Sequence, residues 1–116
     1  MPEVPTTKTG RMTIRDGHAA LRDGAEFATL FRHGTLEVEF YTPDGVDRQQ
    51  PHTRDELYVI ASGTGHFVND GVRQPVEPGE VLFVPAGVEH RFVEFTDDFA
   101  TWVVFYGPEG GEADPA

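Results

Sequence analysis

Turn-forming residues divide the middle of this chain into short segments, at intervals of about 8–12 residues. The segments between the turns either alternate apolar and charged residues, as in 36–40, or are continuously apolar, as in 81–84. Asp70-Gly71 supplies the positive φ angles of a type I′ hairpin turn. Short strands that are punctuated so regularly are typical of an all-β sandwich or barrel.

The predicted strands cover most of the chain between residues 36 and 106. They are 36–40, 56–61, 65–69, 72–76, 81–84, 89–95 and 100–106. Because residues 81–84 are apolar without interruption, we predict a strand that is buried. The only helix candidate is a short stretch near residues 25–32, with Asp23 as its cap.

The length of 116 residues predicts one domain, and no internal repeat is present. Residues 1–10 lack periodicity and predict an N-terminal arm, while residues 107–116 are rich in Gly, Pro and acid and predict a flexible tail. No basic-then-apolar leader and no apolar run of the roughly 20 residues that span a bilayer are present. We therefore expect a cytoplasmic protein.

Charge and composition exclude several classes of function. The formal net charge is −11 without any basic cluster, so we expect neither nucleic acid nor an anionic membrane as a partner. Cysteine is absent, which excludes disulfides and thiolate nucleophiles. Ser62 is the only serine and has no neighbouring base, and no phosphate-binding glycine loop is present, which argues against a serine hydrolase or a nucleotide enzyme.

One candidate site begins at the strand that starts near residue 56. His52 and Glu56 are an even number of residues apart, so a regular strand would place both on one face. An imidazole and a carboxylate on one face are the ligand types that a divalent transition metal needs. Alone, this pair is a weak signal.

A second cluster follows the apolar segment 81–84. Gly79, Pro85, Gly87 and His90 have the spacing of the second cupin motif, G-x5-P-x-G-x2-H-x3-N, which this segment resembles. The last position departs from that motif, because Glu94 stands where it has Asn. Four fixed positions in register make the resemblance specific.

The first cupin motif, G-x5-H-x-H-x(3,4)-E-x6-G, resembles the segment upstream. Glu56 and Gly63 match its end, and His52 matches its second histidine. Gln50 then stands in the place of the first histidine. An alternative register makes His52 the first histidine and Arg54 the replaced second one, but it leaves a single residue before Glu56, which is too few for the motif.

The resemblance is to small single-domain cupins of the conserved-barrel type, and it covers a little under half of the chain. It implies a jelly-roll β-barrel of two packed antiparallel sheets that holds one metal ion. The implied ligands are His52, Glu56 and His90, with Gln50 as a weaker fourth ligand or a hydrogen-bond partner. This ligand set suits Fe(II) best, with Mn, Ni, Co or Zn as alternatives. The resemblance also implies a homodimer.

Strand alternation places further residues near this site. Tyr58 shares a face with Glu56 and would donate a hydrogen bond, so we assign both residues to the catalytic group; Phe92 and Glu94 share a face with His90. Glu94 would be a general base if it faced inward, and solvent exposure is equally compatible with its position. We expect Arg54 at the surface, and Arg48 and Gln49 on the approach to the site.

Three functions remain open at this point. The first is a metal-dependent enzyme of dioxygenase type that acts on a small organic substrate. The second uses the metal as a Lewis acid for isomerase, lyase or polyketide-cyclase-like chemistry. The third is a non-catalytic barrel that binds a small molecule, which the replacement of a histidine by Gln50 favours.

Overall fold

The computed structural model describes residues 10–113, and residues 1–9 and 114–116 lie outside the described part. Within residues 10–113, one helix precedes eight strands. They are α1 (Ile14–Ala20), β1 (Phe27–His33), β2 (Leu36–Tyr41), β3 (Asp55–Ser62), β4 (Gly65–Asn69), β5 (Val72–Val76), β6 (Val81–Val84), β7 (His90–Val93) and β8 (Ala100–Tyr106).

The strands form two antiparallel sheets. One has five strands in the order β1-β2-β8-β3-β6, and the other has three in the order β5-β4-β7. The turn between β4 and β5 has positive φ at both Asp70 (51°) and Gly71 (82°), as the hairpin signal requires. The predicted all-β jelly-roll barrel of two packed sheets is therefore confirmed.

The main core lies between the two sheets. Alternate residues of β3, namely Glu56, Tyr58 and Ile60, are at most 2 % exposed, whereas the residues between them are half-buried. Burying a large apolar side chain contributes roughly 1.5–3 kcal/mol. The apolar members of this cluster are Tyr41, Tyr58, Ile60, Phe67, Val76, Val84, Phe92, Phe99 and Val103. Glu56 is thus carried into the barrel because it shares the core-facing side of β3.

A second, smaller cluster covers part of the five-stranded sheet. Leu30, Phe40 and Ala100 form this cluster. Helix α1 and the residues next to it pack against the cluster. The helix approaches closely because it has no side chain at Gly17, where a Cβ would lie 2.5 Å from the ring of Phe40. Thr13 and Asp16 begin the helix with a capping box.

Two sequence predictions about elements are wrong. Residues 27–33 form strand β1 and not a helix, because pairing with β2 and burial of Leu30 outweigh a weak local helix preference. Strand β6 is an edge strand and is not fully buried: Val81 and Phe83 are 61 % and 49 % exposed. An uninterrupted apolar run does not reveal how many faces of a strand are covered.

Residues 107–113 belong to the segment that we expected to be a flexible tail, which stays a prediction. Their backbone N–H groups donate to the barrel at three points: Gly107 to Thr35 Oγ1 (3.1 Å), Gly110 to the Thr53 carbonyl (2.6 Å) and Glu112 to Asp55 Oδ2 (2.8 Å). The predicted arm falls almost wholly on residues outside the described part. In the part that the structure describes, no helix has the length and apolarity that crossing a bilayer needs. The homodimer and the cytoplasmic location stay predictions.

Candidate metal centre

Three side chains from different elements converge between the sheets. His52 lies in the β2–β3 loop, Glu56 in β3 of the larger sheet and His90 at the start of β7 in the smaller sheet. Glu56 Oε1 is 2.9 Å from His90 Nε2 and 3.8 Å from His52 Nε2. One ligating atom from each residue lies within 4.8 Å of the others. The structure therefore brings together the three residues on which the metal prediction depends.

The corner at residues 85–87 ties the two motifs to each other. The Gly87 N–H donates to the His52 carbonyl (2.8 Å), and the Ala86 N–H donates to Asp55 Oδ1 (2.9 Å). Gly87 has a φ of 80°, which strongly favours glycine. The corner that leads to His90 is thus hydrogen-bonded to the backbone that carries the other histidine.

The orientation of His90 follows from its neighbour in the chain. Its Nδ1 lies 2.9 Å from the carbonyl of Val88, and because a carbonyl only accepts, Nδ1 carries a proton. In the neutral imidazole, Nε2 then presents its lone pair toward Glu56. A hydrogen bond on the far nitrogen is how metal-binding histidines are usually held.

The ligating atoms are buried and lack ordinary partners. Glu56 is 0 % exposed, and within residues 10–113 neither of its side-chain oxygens nor His90 Nε2 has a well-aligned hydrogen bond. The 2.9 Å approach between Glu56 and His90 is close without the alignment of a hydrogen bond. Burying a carboxylate without partners is costly, whereas a divalent cation would compensate all these atoms together. The donor set and its burial fit a metal ion.

Burial and the Glu56 charge change the acidities of the groups around the centre. Burial lowers the pKa of His52, although Glu56 opposes this. Burial also acts to lower the pKa of His90, but the contacts with Glu56 and the Val88 carbonyl outweigh it and raise that pKa. Burial and the nearby Glu56 charge raise the pKa of Tyr58 well above its usual range, so its phenol stays protonated at neutral pH.

A hydrogen-bonded network supports the centre from the β2–β3 loop. Both oxygens of the buried Asp47 are used: Oδ1 accepts from Tyr41 Oη (2.7 Å) and the Gln49 N–H (3.0 Å), and Oδ2 accepts from Gln49 Nε2 (2.9 Å) and the Phe92 N–H (2.8 Å). Gln49 Oε1 in turn accepts from the Tyr58 hydroxyl (2.7 Å). The same oxygen lies 3.3 Å from His52 Nε2.

The two adjacent glutamines are placed in opposite ways. Gln50, the predicted fourth ligand, is exposed, whereas Gln49 is half-buried and contacts His52. Strand parity fails here because regular β3 pairing begins only at Asp55. Metal ligation by His52, Glu56, His90 and Gln50 stays a prediction. The sequence placed Gln49 only on the approach to the site and gave no signal for the buried Asp47, whose partners are distant in the chain.

Two other charged residues near the motifs form ion pairs away from the three ligating residues. Glu94 is exposed and pairs with Arg73. Its φ of 51° lies in the left-handed region where Asn is enriched, which accounts for Asn at this position of the motif. Its exposure argues against a role as a buried general base. Arg54, expected at the surface, is only 16 % exposed: it donates to Glu37 (2.6 Å) and to the Thr35 carbonyl (2.5 Å), and its guanidinium carbon lies 5.8 Å from the centre of the Phe105 ring.

A pocket of about 340 Å³ opens beside His52. This volume is in the range that holds a small organic molecule. Arg48, at its edge, lies 3.8 Å from Glu26, and burial raises the pKa of Glu39 in its wall. The remaining lining residues are Phe27, Tyr41, Gln49, Val103 and Phe105.

Comparison with known proteins agrees with this architecture. The profile of the cupin domain matches residues 37–106, which is more than half of the chain and includes the whole metal centre. The chain belongs to the cupin family. Like this cupin, a cupin-2 domain protein from Shewanella frigidimarina has the barrel fold: its solved structure superposes with a TM-score of 0.67 at 16 % identity, covering 86 % of this chain and 98 % of that one.

Relatives in sequence were also found, among them an uncharacterized protein and a dioxygenase. An uncharacterized protein of Streptomyces coelicolor is 34 % identical over 104 residues, which cover 88 % of this cupin and 98 % of that protein. Acireductone dioxygenase 1 of Coprinopsis cinerea is 28 % identical over 80 residues, which cover 55 % of this cupin and 45 % of the enzyme. The second match thus spans less than half of the dioxygenase.

Proposed function

We propose that this cupin is a metal-dependent enzyme that oxidises a small organic substrate with O₂. The observation that carries the proposal is the buried Glu56, whose side-chain oxygens lack hydrogen-bond partners within the described residues and lie beside the Nε2 atoms of His90 and His52. A structural role for this carboxylate would call for hydrogen-bond donors. Ligation of a cation explains its burial without them.

The ligand set favours oxidative chemistry. Two imidazoles and one carboxylate with open coordination positions are the set used by non-haem Fe(II) oxygenases. The partial similarity to an acireductone dioxygenase supports the same reaction class. When bound, Fe(II) would supply the oxygen chemistry, and His52, Glu56 and His90 would hold it.

The remaining residues of the centre hold and shield the reacting groups. Tyr58 is fully buried, and its protonated hydroxyl donates to Gln49 Oε1, so it fixes that side chain beside His52. Phe67 and Phe92 pack edge-on against the Tyr58 ring, at 5.5 Å and 5.0 Å between centroids, and exclude water from this side of the centre. The substrate would enter from the pocket beside His52.

Metal analysis of protein purified without an affinity tag tests the proposal. We expect about one transition-metal ion per chain in the wild type and its loss in His52→Ala and His90→Ala, because each variant removes one imidazole of the set. The exposed His33, in β1, provides the matched control, and His33→Ala should retain the metal. No metal in the wild type, or equal metal in all four proteins, would overturn the proposal.

Oxygen dependence tests the reaction class. An acireductone is the first substrate to try with an oxygen electrode, because a sequence relative is named for acting on it. We expect oxygen uptake that requires the metal and is lost in Glu56→Gln. Turnover under strict anaerobiosis would instead favour Lewis-acid chemistry, and ligand binding that survives chelation without any turnover would favour a non-catalytic barrel.

A further inference from the structure

We infer that the side-chain oxygen of Gln49 is a fourth metal ligand in this cupin, in the role that motif comparison gave to Gln50. The inference rests on the proposed metal site and adds one residue to it. It starts from the position of Gln49 Oε1, which is 3.3 Å from His52 Nε2, the nitrogen that also faces Glu56.

The spacing of these atoms is that of ligands around one ion. Donor atoms bound at 2.0–2.2 Å to a single first-row ion lie about 3.0–3.4 Å from each other. The Gln49–His52 separation of 3.3 Å falls in this range, the Glu56–His90 separation of 2.9 Å is slightly shorter, and the His52–Glu56 separation of 3.8 Å is slightly longer. Gln50, in contrast, is exposed.

The orientation of the Gln49 carboxamide is fixed on both ends. Its Nε2 donates to Asp47 Oδ2 at 2.9 Å. The Asp47 carboxylate also accepts from a backbone N–H and a phenol. Because an ionised carboxylate can only accept hydrogen bonds, the oxygen end of the amide cannot face it. Oε1 is therefore the atom that is turned toward the centre. One of its lone pairs accepts from Tyr58, and the other is left on the side of His52.

A simpler interpretation is that the Nε2–H of His52 donates a hydrogen bond to Gln49 Oε1. The distance of 3.3 Å is at the long end for such a bond. The two interpretations predict different effects of removing Gln49 on the affinity for the metal. If Gln49 only holds a proton on His52, it competes with the metal, and its removal leaves metal affinity unchanged or increases it. If Gln49 is a ligand, its removal weakens binding.

Mn(II) titration of the untagged, chelator-stripped protein tests the inference, with free Mn(II) measured by electron paramagnetic resonance. We expect Gln49→Ala to raise the Kd for Mn(II) by about 10–100-fold, the scale of losing a supporting contact at a metal site. Gln50→Ala is the matched control, with the same residue type one position along, and its Kd should stay within about twofold of the wild type.

Water proton relaxation measured at saturating Mn(II) separates ligation from a loosened loop. Loss of a protein oxygen opens one coordination position to water, so the relaxivity of the saturated Gln49→Ala complex should rise by the contribution of one water. Gln49→Met, which keeps the side-chain length without an oxygen, is made in parallel in case the truncation unfolds the loop. It should behave as Gln49→Ala does.

The outcomes distinguish this inference from the proposed function. Unchanged or tighter Mn(II) binding in the Gln49 variants, or relaxivity equal to the wild type, would overturn the role of Gln49 and leave the three-residue metal site intact. Failure of the wild type itself to bind Mn(II), Fe(II) or Co(II) would overturn both.

Discussion

Asp47 and Glu56 are buried carboxylates at the same end of the barrel, with opposite surroundings. Asp47 accepts four hydrogen bonds, from the side chains of Tyr41 and Gln49 and from the N–H groups of Gln49 and Phe92. Glu56 is more deeply buried, and in the described part of the chain neither of its oxygens accepts one. Desolvation opposes both charges, but only Asp47 is compensated within the protein.

The difference is the one that we expect between a structural carboxylate and a metal-binding one. Asp47 joins the loop that carries Gln49 to β2 and to β7, which come from different sheets. Glu56 joins nothing by well-aligned hydrogen bonds, and its oxygens instead lie beside two imidazoles. A protein keeps such an uncompensated group where a ligand uses it, so exchanging each carboxylate for its own amide should have opposite effects on stability.

The largest expected effect is from Asp47→Asn. The amide keeps the shape of the carboxylate, but one of its two oxygens is replaced by an NH₂ group. At least one of the four buried donors therefore loses its acceptor and faces an N–H group instead. We expect a loss of about 3 kcal/mol in the free energy of unfolding, measured by urea denaturation at pH 7. Asp44→Asn, at an exposed position in the same loop, is the control and should change stability by less than about 0.5 kcal/mol.

Glu56→Gln should have a smaller effect of the opposite sign. In the presence of chelator, removing a buried charge that lacks donors should stabilise the fold by about 1 kcal/mol. The same variant should lose Mn(II) binding in the titration described above, because it removes the anionic ligand. If Glu56→Gln instead destabilises the metal-free protein as much as Asp47→Asn does, the contrast between the two carboxylates is not real.

The same contrast shows what the sequence could predict. Local chemistry determines the bounds of several strands: residues 65–69, 72–76, 81–84 and 100–106 are strands as predicted, and the turn at Asp70-Gly71 has the expected geometry. The convergence of His52, Glu56 and His90 was also anticipated, because motif spacing reflects how β3 and the corner before β7 meet.

Non-local interactions account for what was missed. Strand β1 depends on pairing with β2 and on burial of Leu30 rather than on its own propensity. The exchange of roles between Gln50 and Gln49 has a similar origin, because the backbone before β3 is positioned by Asp47, which is bonded to Phe92, 45 residues away. Alternation along a strand cannot predict the direction of side chains in a segment that is held in this way.

Asp55 extends the comparison to a third carboxylate, for which we expect the smallest effect. Its oxygens accept from the N–H groups of Glu112 and Ala86, and these two hydrogen bonds lower its pKa against the opposing effect of burial. A folded pKa below the unfolded value of about 3.9 means that the carboxylate stabilises the fold above that pH and that this stabilisation is lost as the pH falls through the folded pKa.

Asp55→Asn should therefore lower the urea midpoint at pH 7, and the gap to the wild type should narrow as the pH falls below about 4. The effect should be smaller than for Asp47→Asn, because the amide oxygen still accepts one of two bonds and Glu112 lies in an exposed terminal segment. A gap that stays constant from pH 7 to pH 3 would mean that the charge of Asp55 contributes nothing. The number of hydrogen bonds that a buried carboxylate accepts, which falls from Asp47 to Asp55 to Glu56, would then not predict how much each carboxylate stabilises the fold.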